Sequence, residues 1–331
     1  MAVGVITIAV SILSYLLFAG LASRALPVRF SIHNVQGAAF RNMIGYGALA
    51  FAILAAEKLR FQSDAMVIGA FLSSTAIASF SIGSRLVEFS SYAVRSMSQI
   101  FTPMSSQFDA ARDFRRLQRT FLAGNRACAL ITFPLCVTLI VLGKRIIEAW
   151  VGAKYLSSYS VLLLLIVPRS LYLAQSTSIR VLLGMGRHRV LASALLLEGG
   201  LNLMLSLILV RPYGILGVAL GTALPLACTS LLFLPRHLCR TLDVPLATFL
   251  KRAYGLPLSL CAPLVCALWL LDREHPAHTY QGIVVQLACG GMVYVAGLAC
   301  VLVKGAGPRL ISWQTFSQLL EPGMGSTERN G

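Results

Sequence analysis

The chain has 331 residues, of which 57% are hydrophobic and only 12% are charged. Soluble domains carry about 25% charged residues, because polar side chains must cover a surface that faces water. This composition excludes a soluble globular domain and favours a helical protein whose outer surface faces lipid.

The formal net charge is +16, from 28 Lys and Arg against 12 Asp and Glu. Domains that bind nucleic acid are basic too, but they lack apolar runs of membrane-spanning length. In membrane proteins, Lys and Arg collect in cytoplasmic loops and set the orientation. We therefore expect no nucleic-acid partner. We assign most of the basic excess to membrane topology and the remainder to an anionic substrate.

Apolar stretches long enough to cross about 30 Å of hydrocarbon recur along the whole chain. They predict nine transmembrane helices, at residues 5–23, 44–71, 76–102, 121–143, 160–183, 190–210, 214–235, 254–271 and 281–303. The predicted fold class is an all-α polytopic membrane protein.

The charges that flank these helices predict how the chain is oriented. No basic residue precedes the helix at 5–23, whereas signal peptides begin with a basic segment, so we expect this helix to be retained. The positive-inside rule predicts an N-terminus outside the cytoplasm and a C-terminus inside it. The loops rich in Lys and Arg alternate along the chain, at residues 24–41, 112–119, 187–189, 236–252 and 304–329.

These features divide the chain into a first transmembrane helix with a basic cytoplasmic linker, a six-helix lobe, two additional transmembrane helices and a cytoplasmic tail. The four parts cover residues 1–41, 42–252, 253–304 and 305–331. Within the lobe, the basic segment from Ser105 to Phe121 alternates Arg with Phe108, Phe114 and Leu117. This pattern predicts a helix lying on the inner leaflet, with a solvated linker as the alternative.

The third predicted helix carries a line of polar side chains, here called the polar stripe. Its members are spaced by three or four residues, so they share one helical face. An ionised side chain at the bilayer centre costs about 2.5–3.5 kcal/mol and should face protein or a water-filled cavity. The stripe consists of Ser81, Arg85, Glu88, Tyr92, Arg95 and Gln99, and the second helix repeats the pattern with Glu57, Arg60 and Asp64.

Two interpretations of these charges are open. Arg85 with Glu88, and Arg60 with Asp64, could form ion pairs within their own helices. A water-filled, net-positive cavity also explains the basic excess, and it suits an anionic substrate such as a phosphate-bearing headgroup. The candidate cavity residues are Arg85, Arg95, Glu88, Gln99, Tyr92, Arg60, Glu57 and Asp64. We expect Arg85 and Arg95 to make the direct contacts, because a guanidinium group binds phosphate oxygens in pairs.

Short motifs along the chain resemble the polysaccharide flippases, the O-antigen and teichoic-acid exporters of the multidrug/oligosaccharidyl-lipid/polysaccharide (MOP) superfamily. Five segments carry the resemblance in the same order as in that family. They are SDAMVIGAFLSSTAIASFSIGSRLVEF at 63–89, IFTPMSSQF at 100–108, IIEAWVGAKYLSSYSVLLLL at 146–165, LLGMGRHRV at 182–190 and LVRPYGILGVALGTAL at 209–224.

The resemblance implies a function in lipopolysaccharide or related polysaccharide biosynthesis. It places Asp64 at the acidic position of the family's seventh helix and Arg85 at the basic position of its eighth. The expected activity is outward flipping of an undecaprenyl-pyrophosphate-linked glycan across the inner (cytoplasmic) membrane by alternating access. Polysaccharide polymerase or glycosyltransferases are candidate partners, beside the membrane lipids. Proton or sodium coupling, proposed for some members, would use the carboxylates of Asp64, Glu88 or Glu198.

The resemblance also implies which part of such a transporter this sequence represents. The first predicted helix aligns with the family's sixth, so about the first five helices of the pattern are not in this sequence. We therefore expect the C-terminal lobe and last two helices of a MOP-superfamily (MATE-like) transporter. A cavity between two lobes would have one wall here, unless the other comes from a longer product or from another chain.

Other functions remain as alternatives. A non-transporting fragment or assembly subunit is one. A MATE-type drug exporter is another, although its cationic substrates suit an Arg-rich cavity poorly. A membrane glycosyltransferase or ligase would need carboxylates or His in substantial loops, and the loop at 144–159 offers only Glu148. We expect no enzymatic activity, metal or cofactor, because Cys/His clusters and nucleotide-binding motifs do not occur in the sequence.

Overall fold

A computed structural model of the chain describes residues 2–25, 63–275 and 279–303, with scattered positions between 37 and 55. This described part contains helices and short connections and no β-strand. In chain order the helices are α1 (Ala2–Ala25), α2 (63–71), α3 (Ser74–Ser98), α4 (Phe101–Ala110), α5 (Phe114–Val151), α6 (Ser158–Ala174), α7 (Ser176–Gly184), α8 (His188–Cys228), α9 (Leu234–Thr241), α10 (Leu246–Glu274) and α11 (Tyr280–Val301). A 3-10 turn at Ala153–Tyr155 and a π-helix at Thr229–Phe233 complete the list.

The chain forms two compact units, Met1–Ala48 and Leu49–Gly331. In the first unit, α1 is a continuous helix that confirms the predicted helix at 5–23, and its side chains from Ile8 to Leu21 are exposed. The hydroxyl of Ser14 donates to the carbonyl of Val10 at 2.8 Å, so this polar group is satisfied within its own helix.

The core of the second unit is organised along the 38-residue helix α5. One apolar cluster joins α5 to α4, α7, α9, α10 and α11, and a second joins it to α2, α3, α6 and α8. The start of α5 is determined by Asp113, whose carboxylate caps the helix by accepting the Arg116 backbone N–H at 3.0 Å. Both faces of α5 are therefore used for packing.

The last two helices, α10 and α11, are attached to α5 by specific contacts at several heights. The rings of Phe121 and Phe249 stack with centroids 4.9 Å apart. The Tyr294 hydroxyl donates to the carbonyl of Leu130 at 2.9 Å. At the far end of α5, Arg145 donates to Asp272 at 3.0 Å.

Two irregular segments of the second unit meet at one side chain. Helices α6 and α7 are bent by 43° at Gln175, and the π-helix follows α8. A π-helix displaces backbone carbonyls from their usual partners. The amide of Gln175 donates to the carbonyl of Ser230 in the π-helix at 2.6 Å, and Gln175 is buried. One amide thus satisfies a backbone group that lipid could not.

Helix α8 turns back on itself at Gly214, whose φ of 58° and ψ of −133° are not helical. The two arms on either side of Gly214 lie against each other very closely. A Cβ atom on Gly221 would lie 2.6 Å from the backbone nitrogen of Ser206, and one on Gly217 would overlap the carbonyl of Leu209. The arms correspond to the predicted helices at 190–210 and 214–235, which the close approach of small residues joins into a hairpin.

Several predicted helices are confirmed, although the predicted number of nine remains a prediction. Four described helices are long and apolar enough to span a membrane, and a fifth is formed if the bent α6–α7 pair counts as one. The predicted helix at 44–71 lies partly outside the described residues, and its described end at 63–71 is α2. The four are Phe114–Val151, His188–Thr241, Leu246–Glu274 and Tyr280–Val301.

The prediction for the basic segment from Ser105 to Phe121 is wrong. The segment is a corner between α4 and α5, with Arg112 in the left-handed region at a φ of 53°. Phe108, Leu117 and Phe121 are buried in the protein core rather than facing lipid, whereas Phe114 is 53% exposed. Their alternation with Arg reflects a helix that packs on the protein with one face and exposes Arg on the other.

We predict that Gly221→Val destabilises the protein, because the added carbons would overlap the backbone of Ser206. Overpacking of this kind costs about 1–3 kcal/mol or more. The measurement is the thermal unfolding temperature of the detergent-purified protein. Gly200→Ala in the same helix is the control, since a Cβ there meets no atom within 4 Å. An unfolding temperature for Gly221→Val equal to that of the wild type would contradict the close packing.

Candidate functional site

The polar stripe lies on the open face of α3. The opposite face of α3 is buried, and Gly83 allows it to approach α6, since a Cβ there would lie 2.7 Å from the Ser158 carbonyl oxygen. The stripe residues Arg85, Tyr92, Arg95 and Gln99 are exposed, whereas Ser81 and Glu88 are half-buried. The helical spacing therefore predicted correctly that these side chains share one face.

The pairing of Arg85 with Glu88, which the sequence left open, is present. Arg85 Nη1 lies 3.2 Å from Glu88 Oε2, three residues along the same helix. The two side chains are 64% and 43% exposed, and an ion pair as open as this contributes between about 0 and 1 kcal/mol in water. The Arg85 guanidinium can therefore exchange this partner for another anion at little cost.

A cavity of about 100 Å³ lies where α2, α3, α6 and α8 meet. It has room for several water molecules. Its charged lining groups are Asp64, Glu88 and Arg169, and its hydroxyl groups are those of Ser84 and Thr222. Glu88 belongs to both this cavity and the polar stripe, so it connects the open face of α3 to the interior.

Arg169 is the cationic group of the cavity wall, and only 4% of it is exposed. Its Nη2 donates to the Ser91 hydroxyl at 3.2 Å, and its guanidinium carbon lies 5.5 Å from the centre of the Tyr172 ring. These contacts orient the guanidinium group within the wall. A charged side chain buried inside a membrane protein needs partners of this kind, here a hydroxyl group and an aromatic ring.

A cluster of oxygen atoms surrounds the buried Asp64, which is 4% exposed. The Thr222 hydroxyl lies 2.9 Å from Asp64 Oδ2, 3.3 Å from Asn202 Oδ1 and 3.3 Å from the Val218 carbonyl oxygen. The Ser206 hydroxyl lies 3.0 Å from the same Asn202 oxygen. The second carboxylate oxygen of Asp64, Oδ1, is buried and has no hydrogen-bond partner within the described residues. This arrangement favours an added proton or a small hard cation.

The α8 hairpin brings the members of this cluster together. Asn202 belongs to its first arm, and Thr222 and Val218 belong to its second. Glu198 lies one turn before Asn202 and is also buried, at 2% exposure. The sequence had suggested Glu198 as a coupling carboxylate, and the structure places it on the same helix face as Asn202.

The structure thus unites some of the predicted residues and separates others. Asp64 and Glu88 line the cavity. The other described candidates, Arg85, Tyr92, Arg95 and Gln99, are not among its lining residues. Glu57 and Arg60 lie outside the described residues, and with them the predicted pairing of Arg60 with Asp64. No group of three or more His, Cys, Asp or Glu suited to a metal ion occurs among the described residues.

Two functional candidates were missed in the sequence. Arg169 lies within the predicted helix at 160–183, and its sequence position alone does not assign it to the cavity. Thr222 was not singled out, because a lone Thr in an apolar helix usually bonds to its own backbone. The sequence feature that could have identified Thr222 is its position in a segment of small residues, which allows close helix packing.

Comparison with known proteins supports the same architecture. Residues 1–160 match the family described as polysaccharide biosynthesis protein. The probable low-salt glycan biosynthesis flippase Agl15 of Haloferax volcanii is 22% identical over 169 residues, covering 51% of this chain and 36% of that protein. The resemblance to polysaccharide flippases of the MOP superfamily is confirmed.

Two solved structures share the fold. The lipid II flippase MurJ, in an inward closed conformation, has a TM-score of 0.63 at 17% identity, covering 87% of this chain and 60% of MurJ. A MOP superfamily transporter from Pyrococcus furiosus has a TM-score of 0.50 at 16% identity, covering 82% of this chain and 65% of that one. The segment that matches Agl15 covers about a third of the length of that protein. This chain is a multi-pass membrane protein whose helical fold resembles those of MurJ and the Pyrococcus furiosus transporter.

We predict that Thr222→Val destabilises the protein, because it removes the hydroxyl that donates to the buried carboxylate of Asp64. Loss of such a donor costs about 1–3 kcal/mol, measured as a lower thermal unfolding temperature in detergent. Thr120→Val is the matched control. That Thr is equally buried, and its hydroxyl has no hydrogen-bond partner in the described structure, so its loss should be neutral or stabilising. Equal destabilisation by both variants would contradict the role of Thr222.

Proposed function

We propose that this chain takes part in translocating a lipid-linked oligosaccharide across the cytoplasmic membrane, as a transporter rather than an enzyme. The observation that carries the proposal is the connection, through Glu88, between the exposed polar stripe and a cavity lined by the buried side chains of Asp64 and Arg169. The similarity to proteins described as flippases, and to a polysaccharide biosynthesis family, supports a substrate of this class.

In this proposal, the polar stripe contacts the substrate. A lipid-linked oligosaccharide carries a diphosphate between its lipid and its sugars, and Arg85 and Arg95 offer guanidinium groups that bind phosphate oxygens in pairs. The open Arg85–Glu88 pair exchanges for the diphosphate at little cost, since it is weak in water. Tyr92 and Gln99, on the same face, supply hydroxyl and amide groups for the sugars.

The oxygen cluster beside the cavity, in the same proposal, binds a coupling ion. A proton or a sodium ion would bind among the oxygens of Asp64, Asn202 and Thr222, the type of site found near the membrane midplane in secondary transporters. Glu88 and Glu198 are the other candidate coupling carboxylates. Because Glu88 lines the cavity and also pairs with Arg85, a change of charge at Asp64 can alter the strength of that pair.

We predict that Arg85→Ala and Arg95→Ala each lower translocation by about tenfold or more, because each removes a charge-assisted contact to phosphate. The assay reconstitutes the purified protein in liposomes with a fluorescent diphosphate-linked lipid oligosaccharide. It measures how fast the sugar becomes accessible to a membrane-impermeant reagent. Arg115→Ala, an exposed Arg outside the stripe, is the control and should transport normally. Wild-type rates in both stripe variants would refute the role of the stripe, and no transport by the wild type would refute the proposed function.

We predict that Asp64→Asn abolishes the response of transport to an ion gradient, because the neutral amide cannot gain and lose a cation. The same liposomes are measured with a sodium gradient, a proton gradient or neither. The control, Asp109→Asn on α4, should keep the wild-type response. A gradient response that persists in Asp64→Asn would exclude Asp64 as the coupling carboxylate. The ion whose gradient accelerates the wild type identifies the coupling ion.

A further inference from the structure

Besides the polar stripe, a second charged surface lies at α9 and the start of α10. These elements do not line the cavity between α2, α3, α6 and α8. Helix α9 is strongly amphipathic: Leu234, Leu238 and Cys239 are buried against the core, and Arg236 and Arg240 are exposed. The two Arg residues are four positions apart, so their side chains project from one face of the helix.

An open cavity of about 570 Å³ lies beside these two Arg side chains. It is lined by Arg236 and Arg240 of α9, by Asp243 of the connection and by Leu246 of α10. Within the described part of the chain, no ion pair involves Arg236, Arg240 or Asp243. The cavity therefore presents two guanidinium groups and one carboxylate.

Another cation is directed toward the same helix. Arg187 Nη1 donates to the Thr241 hydroxyl at 2.9 Å, which holds a third guanidinium group at the end of α9. His237 stacks on the ring of Phe233, with centroids 5.7 Å apart and planes 9° apart. The polar face of α9 is thus dominated by cationic and ionisable nitrogen groups.

The cavity lies at the boundary between apolar and polar protein surface. Leu231, Leu232 and Phe233, immediately before α9, are 53%, 49% and 40% exposed, as expected for side chains that face lipid. Arg236 follows Phe233 by three residues, which is about 4.5 Å along a helix axis. Leu250, one turn into α10, is also exposed. Headgroup phosphates occupy this level of a membrane, and Arg side chains reach it readily.

We propose that this cavity binds the headgroup of an anionic phospholipid. The phosphodiester interacts with Arg236 and Arg240, and the acyl chains lie along the exposed apolar side chains next to it. Two guanidinium groups against the Asp243 carboxylate leave one net positive charge, which matches a singly charged phosphodiester better than doubly charged inorganic phosphate. A nucleic acid would not use the adjoining apolar surface.

The test compares a double variant, Arg236→Gln with Arg240→Gln, against a matched pair, Arg115→Gln with Arg119→Gln. The control residues are also exposed, also four positions apart, and carry the same charge. Native mass spectrometry of the purified protein measures binding of phosphatidylglycerol. We expect roughly thirtyfold weaker binding in the α9 variant, since each basic residue near an anionic surface contributes a factor of roughly five. The wild type and the control should bind equally.

Three further outcomes would overturn the proposal. An equal loss in both variants would mean that the lipid is attracted by the whole basic face and not by this cavity. Equal binding of phosphatidylcholine would mean that the headgroup charge is not recognised. Displacement of the lipid by inorganic phosphate at equal concentration would mean that the site takes a free anion. A thermal unfolding temperature unchanged in the α9 variant shows that any loss of binding is not a loss of folding.

Discussion

The close packing of the two arms of α8 is the contact on which the candidate site depends. Apolar surface gives little drive for helices to associate in a bilayer, so contact between small residues and hydrogen bonding have to supply it. Gly217 and Gly221 let the second arm approach the backbone of Leu209 and Ser206. Larger residues would hold Thr222 away from Asn202, and the oxygen cluster around Asp64 would be lost.

A second constraint is that every backbone polar group within the membrane needs a partner from the protein. The described helices are interrupted at Gln175, at Gly214 and in the π-helix at Thr229–Phe233. The Gln175 amide bonds to the carbonyl of Ser230, and the Asn125 side chain accepts from both the backbone and the hydroxyl of Ser178. Buried amides therefore supply partners for polar groups at the α6–α7 break and in the π-helix.

The polar groups of the second unit differ in how firmly they are held. Arg169 and Asp64 are almost fully buried, with hydrogen bonds to Ser91 and Thr222. Arg85 and Glu88 are paired but open. Separating a buried charge from its partner is costly, whereas an exposed ion pair opens easily. This contrast fits the proposed division between an ion site in the interior and a substrate-contacting stripe on the surface.

Periodicity along single helices determined the helical class, most of the described membrane helices and the shared face of the polar stripe. These properties depend on residues within one or two turns of each other. Only the tertiary structure decided that Thr222 meets Asp64, 158 residues away, that Arg169 lines the cavity with them, and that Phe108, Leu117 and Phe121 are core residues rather than lipid anchors. The physical reason is that a helical pattern specifies which side chains point the same way, but not whether lipid, water or another helix lies in front of them.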